Sequence, residues 1–173
     1  MHVGIFGLSG SGKTTLANRL ARLDGRFVAI SASLLIKERG GVVSYNELGR
    51  DRIFSNQGVL VEAYKEFKEK HPNTLIELHS VIESEQGVVD VDPSVLKELG
   101  LDLAFFLVLD PCSLHERRRS DFKKRRREVE VRELELLQIK AIAICKAALG
   151  DRLRIVKDEA AFSEIKNTLL LNS

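Results

Sequence analysis

A glycine-rich stretch near the start of the chain carries the residues with the clearest chemistry. It reads Gly7-Leu8-Ser9-Gly10-Ser11-Gly12-Lys13-Thr14 and matches the phosphate-binding pattern G-x-x-x-x-G-K-[ST]. Glycines let the backbone approach a ligand closely, and loop N–H groups at a helix N-terminus attract phosphate. Lys13 would contact the β- and γ-phosphates, and the hydroxyl of Thr14 would bind Mg²⁺. Together with Thr15, the stretch predicts a site for a nucleoside triphosphate and Mg²⁺, and it does not distinguish ATP from GTP as the donor.

The segments on either side of this loop have the pattern that such a loop requires. Residues 2–6 are mostly apolar and predict a buried strand. Leu16, Leu20 and Leu23 then repeat at helical spacing over residues 15–23. A strand, a glycine-rich turn and a helix in this order are the structural context of a phosphate-binding loop.

Strands and helices alternate along the rest of the chain. Further strands are predicted at residues 27–30, 74–79, 103–109 and 153–156. Helical patterns lie between them, among them residues 128–149 and residues 44–70, where Gly49 and Gly58 are candidate breaks. The spacing of Ser44 and Glu47 predicts a capping box at the start of the helix over residues 44–70. Alternation of this kind predicts an α/β fold in which helices cover a parallel sheet, with ligands at the carboxyl ends of the strands.

Composition limits the class of protein. The chain has 173 residues, of which 44% are hydrophobic and 30% are charged, with a net charge of +2. These values predict one globular domain over residues 1–173 in the cytoplasm, without a signal peptide. No apolar run approaches the roughly 20 residues that cross a bilayer, so we expect no membrane partner. The two cysteines are too few for a disulfide framework, and the oligomeric state stays open.

An acidic side chain closes the apolar strand over residues 74–79. The carboxylate of Glu77 could hold Mg²⁺ opposite Thr14, or it could accept a proton from an attacking hydroxyl. A carboxylate that only caps a loop is the alternative. His79 lies on the same side of the strand two residues later, where it could contact a substrate or have a structural role.

Eight of the eleven residues from Arg117 to Arg127 are basic. One interpretation is a lid whose arginines fold over the triphosphate and neutralise the transferring phosphoryl group. A nucleic-acid-binding patch and a solvated basic face are the alternatives. We favour the lid, because phosphoryl transfer needs several mobile cations and no other part of the chain supplies so many. Nucleic acid is the less favoured partner.

Four further cations precede the strand over residues 74–79 and are candidates to bind a phosphate on the acceptor: Lys37, Arg39, Arg50 and Arg52. Ordinary exposed charges would give the same pattern.

Four places in the sequence together resemble the nucleoside monophosphate kinases of the adenylate kinase-like group. They are the glycine-rich stretch, the turn at 31–35, the strand and loop at 75–82, and the Asp110-Pro111 helix with the arginines that follow it. The chain is most similar to archaeal-type adenylate kinases and related small P-loop kinases, over about residues 1–150. Ala32 and Ser33 depart from the family's Gly-Asp turn, and Glu77 replaces an aspartate, so the identity of the acceptor stays open.

The resemblance implies a three-layer P-loop fold with a five-stranded parallel sheet in the order 2-3-1-4-5. Residues 34–70 would form an acceptor-binding part, and residues 117–127 a short lid. The implied reaction moves the γ-phosphoryl group of Mg·ATP to a small phosphorylated acceptor, with a nucleoside monophosphate as the leading candidate. The alternatives are a kinase for another small molecule or a nucleic-acid 5′ end, and a nucleic-acid-associated ATPase.

The resemblance also implies a role for most of the candidate residues. Residues 7–15 would bind ATP, and Thr14 and Glu77 would hold Mg²⁺. The groups expected to act in catalysis are Lys13, Glu77, Arg117, Arg125 and Arg126. Ser33 and His79 lie in the matching segments and would contact the acceptor. Charge alone, and not the resemblance, adds Lys37, Arg39, Arg50 and Arg52 to the groups expected to contact it.

Overall fold

The computed structural model describes residues 1–122 and 126–171 of the chain. Its strands are β1 (His2–Phe6), β2 (Val28–Ser31), β3 (Thr74–Leu78), β4 (Val81–Ser84), β5 (Gly87–Asp90), β6 (Leu103–Val108) and β7 (Leu153–Lys157). Its α-helices are α1 (Lys13–Leu23), α2 (Ala32–Glu38), α3 (Arg50–Lys70), α4 (Pro93–Glu98), α5 (Pro111–Ser120), α6 (Val131–Leu149) and α7 (Asp158–Leu171). None of these helices is both long enough and apolar enough to cross a membrane.

Five of the strands form a parallel sheet in the order β2-β3-β1-β6-β7. The predicted α/β P-loop fold with a five-stranded parallel sheet is confirmed. The detail that differs is the antiparallel hairpin of β4 and β5, which the sequence analysis did not predict. The hairpin takes the numbers 4 and 5, so the last two strands of the sheet are β6 and β7 and not the fourth and fifth strands of the chain, as the predicted order 2-3-1-4-5 has them.

The central strands are buried on both faces, as their apolar composition requires. Ile5 of β1, Ile76 of β3 and Phe106 of β6 are inaccessible to solvent. The register places Glu77 beside Ile5 on one side and beside Ser31 of β2 on the other. The loops that follow these three strands therefore begin at the same edge of a rigid sheet.

The helical stretch predicted over residues 44–70 is broken at Gly49, one of its two candidate breaks, and α3 then runs from Arg50 through Gly58 to Lys70. The backbone N–H of Glu47 donates to the carbonyl of Ser44 at 3.0 Å in a turn that precedes α3. The backbone N–H of Glu85, between β4 and β5, donates to the carbonyl of Tyr45 at 3.3 Å. The prediction of a capping box was wrong, because this segment pairs with the hairpin instead of extending the helix.

A buried ion pair joins α5 to the hairpin. Arg118 donates to both carboxylate oxygens of Glu83, at 3.1 and 2.6 Å, and to the backbone carbonyl of Arg127 at 3.0 Å. The side chains of Arg118 and Glu83 are only 5% and 7% exposed. Arg118 also packs on the glycine-rich loop, since a Cβ on Gly10 would lie 2.9 Å from its Cγ. One arginine thus sets the relative positions of α5, the hairpin and the loop.

Removing one member of this ion pair should be costly. Glu83→Leu leaves the guanidinium of Arg118 buried without its counter-ion, and we expect the free energy of unfolding to fall by about 3–5 kcal/mol. Urea denaturation measures the loss. The matched double variant Glu83→Leu/Arg118→Met removes both charges and should regain much of that stability. A single variant as stable as the wild type would contradict the structural role given to this pair.

Candidate functional site

The glycine-rich loop, residues 7–14, connects β1 to α1 and is called the P-loop below. Gly10 and Gly12 have φ angles of 88° and 91°, in the left-handed region that residues with a Cβ rarely adopt. Gly12 is the N-cap residue of α1, and among the described residues no side chain caps this end of the helix. The N–H groups of the first helical turn are therefore available to a phosphate.

Lys13 is the first residue of α1 and is only 6% exposed. Its ammonium group donates to the backbone carbonyls of Gly7 at 2.8 Å and Leu8 at 2.9 Å. These bonds hold the cation within the loop, where the terminal phosphates of a nucleotide would bind.

Thr14 and Glu77 meet across the space between α1 and β3. The Thr14 hydroxyl donates to Oε2 of Glu77 at 2.6 Å. Hydroxyl and carboxylate oxygens are ligands that Mg²⁺ prefers, and this ion takes its other ligands from water and phosphate. Among the described residues, no group of three or more His, Cys, Asp or Glu side chains is arranged to hold a metal. The pair therefore fits Mg²⁺ that is bound together with nucleotide phosphates.

Two cavities open at this edge of the sheet. The P-loop cavity, of about 420 Å³, is lined by polar groups of the loop and the strand ends, including Lys13, Thr14, Ser31 and Glu77. The apolar cavity, of about 240 Å³, lies among α2, α3, α4 and the hairpin. Its apolar lining residues are Ala32, Ile36, Val43, Leu48, Ile53, Leu60, Leu78, Val81, Ile82, Val91, Val95 and Leu96.

Four side chains line both cavities: Ser9, Ser33, His79 and Arg126. Ser33 lies in the first turn of α2, His79 follows β3, and Arg126 precedes α6. We call this set the junction. A phosphate bound at the P-loop would meet a molecule held in the apolar cavity at this point.

Arg126 is a buried cation at the junction, with a side chain that is 9% exposed. Its Nε donates to the Ser9 hydroxyl at 3.1 Å, and its Nη2 forms an ion pair with Asp121. Its Nη1 is buried and has no hydrogen-bond partner among the residues that the structure describes. A phosphate oxygen would satisfy this donor with a charge-assisted hydrogen bond.

The other two arginines predicted to act in catalysis are placed differently. Arg117 lies beside the P-loop, because a Cβ on Gly12 would be 3.7 Å from its Nη1. It forms an ion pair with Asp158, the first residue of α7, and lines neither cavity. Arg125 lies outside the described residues. The catalytic roles of both arginines stay predictions.

The four cations predicted to bind an acceptor phosphate are exposed and line neither cavity: Lys37, Arg39, Arg50 and Arg52. Arg39 is paired with Glu66 of α3, and this hydrogen bond lowers the pKa of the Glu66 carboxyl. The structure thus does not bring these cations together with the P-loop, and their role in acceptor binding stays a prediction. Ser33 and His79, from the same predicted set, do line the junction.

The apolar cavity also contains polar side chains that the sequence analysis did not select: Tyr45, Asn56, Gln57 and Glu83. Asn56 and Gln57 are buried on α3, three and four residues after the buried Ile53. That helical spacing could have identified both residues as part of the buried face of α3. Arg118 was missed as well, although it follows the buried Leu114 by one helical turn.

Comparisons with known proteins agree with this architecture. A family model described as an AAA domain matches residues 6–135. Shikimate kinase from Bacteroides thetaiotaomicron superposes with a TM-score of 0.62 at 18% identity, over 96% of this chain and 97% of that one. Shikimate kinase from Aquifex aeolicus gives 0.61 at 20% identity, over 99% and 95% of the two chains.

A deoxyadenosine kinase from M. mycoides gives a TM-score of 0.60 at 16% identity, with all of both chains covered. No curated protein sequence matches the chain. At these identities the solved structures establish a shared fold and no more. The family model covers more than half of the chain and therefore establishes the family. The fold is that of small P-loop kinases, and the chain belongs to the AAA domain family.

Proposed function

We propose that the protein is an ATP-dependent phosphotransferase that moves the γ-phosphoryl group of Mg·ATP to a small acceptor in the apolar cavity. The observation that carries the proposal is the junction, where Ser9, Ser33, His79 and Arg126 line both cavities. A donor phosphate at the P-loop and an acceptor group in the apolar cavity would be adjacent there. Holding two reactants in this way supplies much of the rate enhancement in phosphoryl transfer.

The residues of the site would act mainly by position and charge. The P-loop N–H groups and Lys13 orient and neutralise the terminal phosphates. Thr14 and Glu77 would hold Mg²⁺, which would supply a Lewis acid that polarises the phosphate oxygens. Arg126 stabilises the charge of the group that passes between the cavities. No covalent intermediate on the protein is needed for such a transfer.

A nucleoside monophosphate is the acceptor that we propose first. The buried Nη1 of Arg126, which has no partner in the described part of the chain, suits a phosphate on the acceptor, and the apolar walls suit a base. The volume of about 240 Å³ lies below the roughly 300–1,000 Å³ of pockets for drug-sized ligands, so the acceptor must be small.

An acceptor without a phosphate, which would be phosphorylated on a hydroxyl, is the second candidate. One observation favours it: among the described residues, Arg126 is the only cation that lines the apolar cavity. In this case Glu77 or His79, which line the P-loop cavity, would accept the proton of the attacking hydroxyl.

Lys13→Ala should lower acceptor-dependent formation of ADP by about a hundredfold or more, because the terminal phosphates lose their buried cation. The assay measures ADP released from Mg·ATP with a panel of nucleoside monophosphates, with the corresponding nucleosides, and with no acceptor. Stimulation by a monophosphate alone supports the first candidate, and stimulation by a nucleoside alone supports the second. Slow hydrolysis that no acceptor stimulates would contradict both a nucleoside monophosphate and a nucleoside as the acceptor.

Arg126→Ala should raise the KM of the acceptor, lower kcat, or do both, by about ten- to a hundredfold, because a charge-assisted hydrogen bond is lost. Steady-state kinetics at saturating ATP measure the change. Arg22→Ala and Arg132→Ala are matched controls, since both arginines are exposed and line neither cavity, and each should change the KM less than twofold. Equal effects of all three substitutions would show that the junction has no special role.

A further inference from the structure

The side-chain amide of Gln57 has a hydrogen-bond donor without a partner among the residues that the structure describes. Gln57 lies on α3, lines the apolar cavity and is only 8% exposed. Its Oε1 accepts a hydrogen bond from the backbone N–H of Asp92 at 3.3 Å. Its Nε2 is buried and has no hydrogen-bond partner among residues 1–122 and 126–171. Native proteins seldom bury such a donor without a reason, so this one requires an explanation.

The backbone of Asp92 fixes the orientation of this amide. An N–H group must be matched by an oxygen, so Oε1 faces Asp92 and the NH₂ group is directed elsewhere. One lone pair of Oε1 is engaged in this way, while Nε2 has no partner among the described residues. A molecule in the cavity would therefore meet the NH₂ group of Gln57 as a hydrogen-bond donor.

The surroundings of Gln57 restrict the chemistry of its partner. Ile53 and Leu60, about one helical turn to either side on α3, also line the cavity. The neighbouring Asn56 is engaged, because its Nδ2 donates to the carbonyl of Val42 at 2.7 Å. Apolar walls exclude a charged group at this position but accept a flat, uncharged ring.

We propose that Gln57 is a specificity-determining residue, which donates from Nε2 to a carbonyl oxygen or an imine-type nitrogen of a neutral heterocycle on the acceptor. This inference rests on the proposed function, because it places the acceptor in the apolar cavity. Gln57 does not line the P-loop cavity, whereas Arg126 lines both. The ring thus binds at Gln57, and the group that takes part in transfer lies toward Arg126.

Gln57→Glu isolates the donor from the rest of the side chain. In its ionised form, which alkaline pH favours, the new carboxyl group keeps an oxygen for the Asp92 N–H and has nearly the same size, but it has no hydrogen to donate. Isothermal titration calorimetry without ATP measures the Kd of the four ribonucleoside monophosphates, the four nucleosides and ribose 5-phosphate. We expect the Kd of the best-bound compound with a base to rise by about ten- to a hundredfold, and that of ribose 5-phosphate to change less than twofold.

Gln57→Leu, which is neutral, separates the loss of the donor from the added negative charge and should weaken the same compound to a similar extent. Thermal unfolding of both variants confirms that they fold. The inference is overturned if both variants bind the base-containing compounds as the wild type does, or if ribose 5-phosphate weakens equally. It is also overturned if the wild type binds none of the bases, in which case a buried water accounts for the donor.

Binding without ATP keeps this result separate from the proposed phosphotransfer. A protein that binds a nucleoside or its monophosphate through Gln57 but forms no ADP in the acceptor assay would refute the phosphotransfer and leave the role of Gln57 intact. The converse result is an unchanged rate of phosphotransfer and an unchanged Kd of the acceptor in both Gln57→Glu and Gln57→Leu. That result would refute the role of Gln57 and leave the phosphotransfer intact.

Discussion

The register of the three parallel strands β1, β2 and β3 is the constraint on which the site depends. It sets Glu77 level with Ile5 of β1 and Ser31 of β2, so that the P-loop, the turn into α2 and the loop after β3 leave the sheet together. The hydrogen bond of 2.6 Å between Thr14 and Glu77 is a direct result. Because the central strands are buried on both faces, this edge is rigid, and the site needs little reorganisation to bind phosphate.

The second constraint is the buried ion pair of Arg118 and Glu83. It lies outside the sheet, yet it connects α5, the hairpin and the P-loop. Two charges in a buried position are weak evidence for stability, because desolvation offsets their attraction. Their effect here is geometric: Glu83 also lines the apolar cavity, so one contact places a cavity wall relative to the phosphate-binding loop.

The two cavities of the site differ in charge and polarity and therefore suit different ligands. The P-loop cavity offers a cation, a helix N-terminus and oxygen ligands, which suit a triphosphate with Mg²⁺. The apolar cavity offers hydrocarbon walls and, among the described residues, two buried donors without partners, on Gln57 and Arg126. A charged donor at the junction and a neutral donor away from it suit an acceptor with a neutral ring and a reacting end.

The sequence by itself determined the P-loop, the alternation of strands and helices, and Glu77 at a strand end, because glycine spacing and hydrophobic periodicity report local backbone geometry and burial. Only the tertiary structure decided which distant side chains meet. Arg118 and Glu83 are 35 residues apart in the chain, as are Gln57 and Asp92, and local patterns carry no information on such pairing. The segment at 44–47 favoured a helix locally, but hydrogen bonding to the hairpin prevailed, since tertiary contacts outweigh the small energies of local propensity.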